Sequence, residues 1–557
     1  MTTTGLRAYG NNVALAGPAT LTGTVASFFG GLDGNGNALV LNFTSSTAIA
    51  ANGSFTDLAS LTSTGPTALA GTVITTGQQS YQGATSLTGA IELQRSAGSF
   101  TGGLDAAGNA LTLNFTQSTA VTGSVFSNLS DLTSLGPVAL SGQIDSSGFQ
   151  NYATAATLSA DTTLNATGNI DFGSLVDGAR QLNIQSGGNV SFFAALGSTT
   201  PLQGLNLASA AAVTALGALA IDGTGGTGAG LRIGDGVSNV NIAQPGGTIS
   251  NAALSGILLA GNTTGSTMSG FTITNSGSHG IEAAGGSYTG TTIENSSITA
   301  RVGDGFHAAN ATGLTATLLH SADNAKAGIR VAGTSSNVTI SDSLIGLDAN
   351  GTAAQPNLGQ GIVVSVATGT TLQGNTISNH TVGVLVDNGA NLTIGSASGT
   401  TTGDADANVI TKNTSAGIVV NGAGSQNVSI LSNSIFENDF IGISLSAGGN
   451  ALARTPTLTS ATTTAVVGSI TGTDGDVYRI QYFKSADAVT SSSRFAQGQE
   501  LIGYQDVTIA GGTASIDEDI SGSSVIVTDW ITATATLLVG GLPSETSQFS
   551  FGIRVTA

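Results

Sequence analysis

The stretch NTISNHTVGVLV, residues 375–386, sets a glycine before two apolar residues that flank a single position: Gly383, then Val384 and Val386 on either side of Leu385. The phrase recurs at Gly230, Gly256, Gly280, Gly305, Gly328, Gly361, Gly417 and Gly442, each followed by Leu, Ile or Phe. In chain order these glycines, Gly383 included, stand 26, 24, 25, 23, 33, 22, 34 and 25 residues apart. Six of the eight spacings fall between 22 and 26, the mark of a stacked repeat.

Alternate side chains of a strand face opposite ways, so Ile362 and Val364, Val384 and Val386, and Ile418 and Val420 point inward together. About two dozen residues suffice for three short strands and three bends, and rungs about 4.8 Å apart then bury a continuous apolar column. The glycine reads as a bend made without steric cost. Asn375, Asn379, Asn433 and Asn438 suit bends where amides bond the backbone and one another between rungs. A leucine-rich repeat has a similar period, but its leucine spacing and its helix per unit do not appear.

The two long intervals carry GLDANGTAAQPNLGQ at 346–360 and GSASGTTTGDADAN at 395–408, insertions expected to leave the stack as loops on one side. With these phrases in hand, residues 228–450 resemble the right-handed parallel β-helix repeats of large bacterial surface proteins. Toward the N-terminus, SFFGGLDGNGNALVLNFTSSTA at 27–48 returns as SFTGGLDAAGNALTLNFTQSTA at 99–120, and LASLTSTGPTAL at 58–69 as LSDLTSLGPVAL at 129–140, offsets of 72 and 71. A looser third copy starts at Gly168, and it resembles the repeats of filamentous-haemagglutinin-like adhesins and giant autotransporters. From about Thr455 the glycine phrase stops. VYRIQYF at 477–483, DWITATATLL at 529–538 and SQFSFGIRV at 547–555 alternate at period two, as half-buried antiparallel strands do. This part resembles the small immunoglobulin-like sandwiches that follow β-helices in bacterial surface proteins, and such a domain would also cover the open end of the stack. The expected fold is all-β: a right-handed parallel β-helix solenoid followed by a small antiparallel β-sandwich. Its parts are an irregular solenoid at 1–227, the regular β-helix at 228–454 and the sandwich at 455–557.

At 557 residues without a cysteine, the chain needs no disulfide or metal to hold its core. Thirteen basic against 32 acidic residues give a net charge of −19, which opposes a nucleic-acid partner or an anionic membrane. The most apolar stretch, AAAVTALGALAI at 210–221, is too short to span a bilayer, so no transmembrane segment is expected. MTTTGLRAYG at the start has neither the basic nor the apolar region of a signal peptide. Export is then expected either as a piece of a longer protein or by a route that does not read the N-terminus.

Aligned on the glycines, the outward positions read Arg232, Leu258, Glu282, His307, Arg330, Val363, Leu385, Val419 and Ser444. Glu282, His307 and Arg330 fall on successive rungs and form the best catalytic candidate, an acid, an imidazole and a guanidinium in one row. The plainer reading is favoured: a solvated ladder of alternating charge. Val363, Leu385 and Val419 make an apolar face expected to lie under the insertions, under the sandwich or against a neighbouring molecule. Asp33 in DGNGN and Asp105 in DAAGN are calcium candidates, but both lack the EF-hand pattern and read first as β-turns. No other cofactor is expected, and His279, His320 and His380 have no metal-ligand spacing among themselves.

Three functions follow. The first is an extracellular structural or adhesive protein of the cell surface, a stalk or a subunit of a layer, sheath or filament, whose partners are copies of itself, other surface proteins or glycans. The second is a carbohydrate-active enzyme, a polysaccharide lyase or hydrolase, using the Glu282 to Arg330 row. The third is a viral receptor-binding spike of the same fold.

Overall fold

The computed structural model describes residues 4–49, 53–121, 125–300, 302–486 and 497–557. The chain divides into two compact units, Met1–Ala253 and Leu254–Ala557.

In the first unit, short parallel strands stack in three columns around an apolar interior. One column runs through Leu32, Phe55, Val73, Leu93 and Leu113, so a turn here takes 18 to 23 residues. The repeat of 71 to 72 residues is not a whole number of these turns. Tyr9 and Phe28 are partners in one column, Tyr81 and Phe100 in a second, and Tyr152 and Phe172 in the third. Each pair stacks ring on ring, with centroids 4.5, 5.0 and 5.0 Å apart. One sequence repeat thus covers three turns and two further strands, and the aromatic pair lands two faces further along the coil each time. The interior accepts it on any face because all three present alternating apolar residues. Tyr81 and Tyr152 are fully buried, and each hydroxyl donates to a glutamine two residues earlier, Gln79 or Gln150, at 2.9 Å. Those glutamines pass their amide protons to backbone carbonyls, which satisfies the buried polar groups.

In the second unit, the glycine phrases form one parallel ladder through Ile257–Leu259, Ile281–Glu294, Phe306–Thr317, Ile329–Ala332, Ile362–Ser365, Val382–Asp387, Ala416–Asn421 and Ile441–Ser446. Two further ladders complete each coil. One passes through Thr339–Ser341, Thr371–Gln373, Leu392–Gly395 and Val428–Leu431, the other through Leu344–Ile345, Thr376–Ser378, Val409–Thr411 and Ser434–Phe436. The residues read as inward, such as Ile362, Val364, Val384 and Val386, are fully buried.

The glycines act otherwise than the sequence suggests. Gly280, Gly305, Gly328, Gly361, Gly383 and Gly417 have no left-handed φ; instead, a methyl group on Gly280 would lie 2.6 Å from the carbonyl oxygen of Gly305, and one on Gly383 2.6 Å from that of Gly417. They are glycine because successive coils touch backbone to backbone there. Left-handed backbone sits elsewhere, in a column after each ladder: at Asn310, Gly333, Val366, Asn388 and Gly422 after the first, at Asn295, Leu318, Asp342, Gly374 and Ser432 after the second, and at Asn275, Asp323, Asn379, Lys412 and Glu437 after the third, a few residues before the glycines.

Two columns of buried amides run along the stack. Asn375 donates to Asn408 at 3.0 Å, and Asn408 to Asn433 at 2.8 Å. In the other column Asn324 donates to Asn357, Asn357 to Nε2 of His380, and Asn413 to Asn438. Asn379 stays outside both and donates to the Gly346 carbonyl. The two insertions leave from different corners rather than from one side. Residues 346–360 separate Leu344–Ile345 from the first ladder, whereas residues 396–408 separate Leu392–Gly395 from Val409–Thr411.

Antiparallel structure begins at Thr457. Thr457–Ala461, Ala465–Thr471 and Thr513–Asp519 form one sheet; Glu500–Thr508, Val477–Ser485, Trp530–Val539 and Leu542–Thr546 form the other, with Ile553–Arg554 also paired to Trp530–Val539. Val466, Ile470 and Ile516 meet Tyr478, Ile480, Tyr482, Ile531 and Ala533 in a common core, which makes a two-sheet sandwich. Gln481, Phe483, Thr534 and Thr536 face away from that core yet are buried, because that surface meets the last coil of the β-helix. There Gln481 Oε1 accepts the Ser432 N–H, Thr546 Oγ1 that of Ile430 and Gln497 Oε1 that of Asn438, while Ile435 and Gly498 exchange backbone bonds of 2.7 and 2.9 Å. Donors that another coil would have taken are met by the sandwich.

Candidate functional site

The first ladder of the second unit sets Glu282, His307 and Arg330 side by side on consecutive rungs. Each is joined less to its ladder neighbour than to the residue that precedes the glycine one coil earlier. Ser255 donates to Glu282 Oε2 at 2.5 Å, His279 Nε2 lies 2.9 Å from His307 Nδ1, and Arg330 Nε donates to Asp304 Oδ2 at 3.1 Å. These pairs lie 27, 28 and 26 residues apart, one coil plus the shift between the two positions. The same register sets Ala327 against Val363, so the row turns apolar at both positions at once.

The pairs are linked to one another. Asp304, 1% exposed, also accepts the Ala327 N–H at 2.9 Å and lies 3.4 Å from His279 Nδ1. Its own N–H donates to His279 Nδ1 at 3.1 Å, which leaves the proton of a neutral His279 on Nε2, directed at His307 Nδ1. Burial holds both imidazoles below their ordinary pKa. It outweighs the opposite pull of Asp304 and Glu282, and for His307 the neighbouring His279 adds to it. At neutral pH the pair is therefore uncharged, suited to hydrogen bonding, proton relay or metal binding.

Aligning outward positions alone finds Glu282, His307 and Arg330 and misses His279 and Asp304. The signal was present as HG at 279–280 and DG at 304–305, the residue before each glycine.

Val363 is not a surface residue, being 2% exposed, while Leu385 and Val419 are half-buried. On rungs about 4.8 Å apart a β-branched side chain is screened by longer neighbours, here Arg330 and Leu385. In the first unit, Asp33 Oδ1 accepts the Asn35 N–H, and Asp105 Oδ1 accepts that of Ala107 and the Asn128 amide. The Asn128 bond, with that of Ala107, lowers the Asp105 pKa. Both aspartates thus serve as turn acceptors. An open concavity of ≈ 890 Å³ on the same unit is lined by Asn128, Asp145, Ser147, Asn165, Thr167 and Gln185, far in sequence from the histidines. Among the described residues no helix is long and apolar enough to cross a membrane.

A family model described as a right-handed β-helix region matches residues 236–398. With the parallel ladders, this defines the chain as a right-handed parallel β-helix protein carrying a small antiparallel sandwich. No curated relative matches. Among solved structures the chain is similar to the Dettilon tailspike protein, 12% identical with a TM-score of 0.27 over 79% of this chain and 88% of that one. It is also similar to the enzymatically active domain of tailspike protein 2 of bacteriophage CBA120, 10% identical with a TM-score of 0.24 over 85% and 72%. At these values the likeness carries nothing about activity or ligand.

Proposed function

We propose that the chain is an extracellular structural or adhesive surface protein that works as a stiff spacer and assembles with copies of itself or with surface glycans. The observation that carries this reading is the continuity of hydrogen bonding in the second unit. Backbone ladders and the column from Asn413 through Asn438 pass directly into the sandwich at Gln497, so coils and sandwich resist separation together. Two features of the first unit support contact with others. Phe193 and Leu216, 56% and 53% exposed, follow paired residues on successive turns and form an apolar edge. The concavity around Asp145 and Asn165 offers the amides, hydroxyls and carboxylate that hydrogen-bond sugars.

A second reading, a polysaccharide lyase or hydrolase, is favoured by the linked pairs around Glu282, His307 and Arg330. Incubation with a panel of bacterial surface polysaccharides separates the two. The structural reading expects polymer lengths to stay unchanged and any glycan binding to survive His307→Ala but weaken on Asp145→Ala. Cleavage abolished by Glu282→Gln would replace it with the second.

A further inference from the structure

We propose that His279, His307 and Glu282 bind a divalent transition-metal ion of the zinc class. Each offers one ligand atom, and the three atoms lie within 4.8 Å of one another. Two imidazole nitrogens and one carboxylate oxygen form a borderline donor set that selects zinc, cobalt, nickel or copper over calcium or magnesium. The ligands come from two adjacent coils, His279 and Glu282 from one and His307 from the next, held in register by the Glu282 to His307 pairing. The site is therefore largely in place before an ion arrives.

The nitrogens now share a hydrogen bond at 2.9 Å. Two bonds of about 2.0 to 2.1 Å at a tetrahedral angle need them about 0.4 Å farther apart, which a small rotation of either ring supplies. The ion takes the place of the shared proton. Binding through Nε2 moves the His279 proton to Nδ1, where Asp304 Oδ2 lies 3.4 Å away, and gives up the hydrogen bond that the Asp304 N–H now makes to that nitrogen. Arg330 stands close by, but its charge is balanced by the same buried carboxylate. Three protein ligands leave a fourth position for water or an anionic oxygen, and the bound ion staples two rungs of the stack.

The test uses the full chain, stripped with chelator and titrated with zinc by calorimetry, with calcium as the comparison. Saturable one-to-one zinc binding is expected, weakened at least tenfold by His279→Ala, His307→Ala and Glu282→Gln and unaffected by excess calcium. Circular dichroism of the metal-free variants checks that they fold. Should the alanine variants fail to fold, zinc-edge X-ray absorption on the wild-type chain decides, with two imidazole ligands expected. Zinc affinity unchanged in folded variants, no saturable binding, or an all-oxygen ligand shell would each overturn the proposal.

Discussion

His279 and His307, 28 residues apart in sequence, face each other nitrogen to nitrogen at 2.9 Å. The contact exists because a position before one glycine meets a position after the next, and Asp304 occupies that first position one coil further on. Asp304 is buried, and it holds both the Arg330 guanidinium and the Ala327 N–H. Asp304→Ala removes the acceptor from a buried amide and from a partly buried cation. A loss of about 2 to 3 kcal/mol is expected, seen as a lower midpoint in denaturant titration.

Val366 stands in a corner column whose other members are Asn310, Gly333, Asn388 and Gly422, and it shares their left-handed backbone at φ 63°. A β-branched residue pays for that conformation, whereas asparagine tolerates it. Asn310 and Asn388 also accept backbone N–H groups from a neighbouring coil. Val366→Asn should stabilise the second unit by about 1 kcal/mol, and Asn388→Val should destabilise it by a similar amount. Paired thermal melts would show the opposite shifts.

Gly383 has no room for a side chain: a methyl group there would meet the Gly417 carbonyl oxygen at 2.6 Å and Ile410 Cγ2 at 2.7 Å. Gly383→Ala should cost about 3 kcal/mol by forcing two coils apart. Gly403, which has open space around it and a φ of 67°, should cost only about 1 kcal/mol on the same change. If the two substitutions prove equal, the close-approach account of the repeated glycine fails.

His380 interrupts an otherwise amide column, and burial, partly offset by Asn413, pushes its pKa down from 6.5 to about 4. The folded chain keeps this imidazole neutral, while the unfolded chain takes up a proton as pH falls below 6.5. Its contribution is thus fully present above pH 6.5 and is lost between there and about pH 4, by about 3 kcal/mol in all. Thermal midpoints measured across that window should fall more steeply for the wild type than for His380→Asn, which also restores the amide.

Gln497 ends that column by taking both the N–H and the Nδ2 proton of Asn438. Gln497→Ala strands the buried Asn438 N–H and removes the amide that donates to the Asn438 carbonyl, while Asn438 Nδ2 keeps the Ile410 and Phe436 carbonyls. Hydrogen exchange by mass spectrometry should show faster exchange in residues 428–438, with coils near residue 330 unchanged.

The column of inward residues was legible in the sequence because strand alternation leaves a period of two inside a period near 24, and Ile362, Val364, Val384 and Val386 obey both. The sandwich was legible from its own period of two, although not the burial of Gln481 and Phe483, since nothing local marks a second buried face. Other features were hidden by geometry between coils. The apolar character of Val363 was visible, but its burial depends on neighbours one rung away. His279 and Asp304 escaped because diagonal partners do not share an alignment position. The first unit hid its face-shifting repeat in the same way, since Phe28 and Phe100 match in sequence while lying on different faces.

Negative-stain electron microscopy of the purified chain over a range of concentrations, with and without calcium, tests the structural role most directly. The account predicts regular filaments or sheets that grow with concentration. Dispersed single particles at every concentration, from a preparation that shortens a polysaccharide, would contradict it.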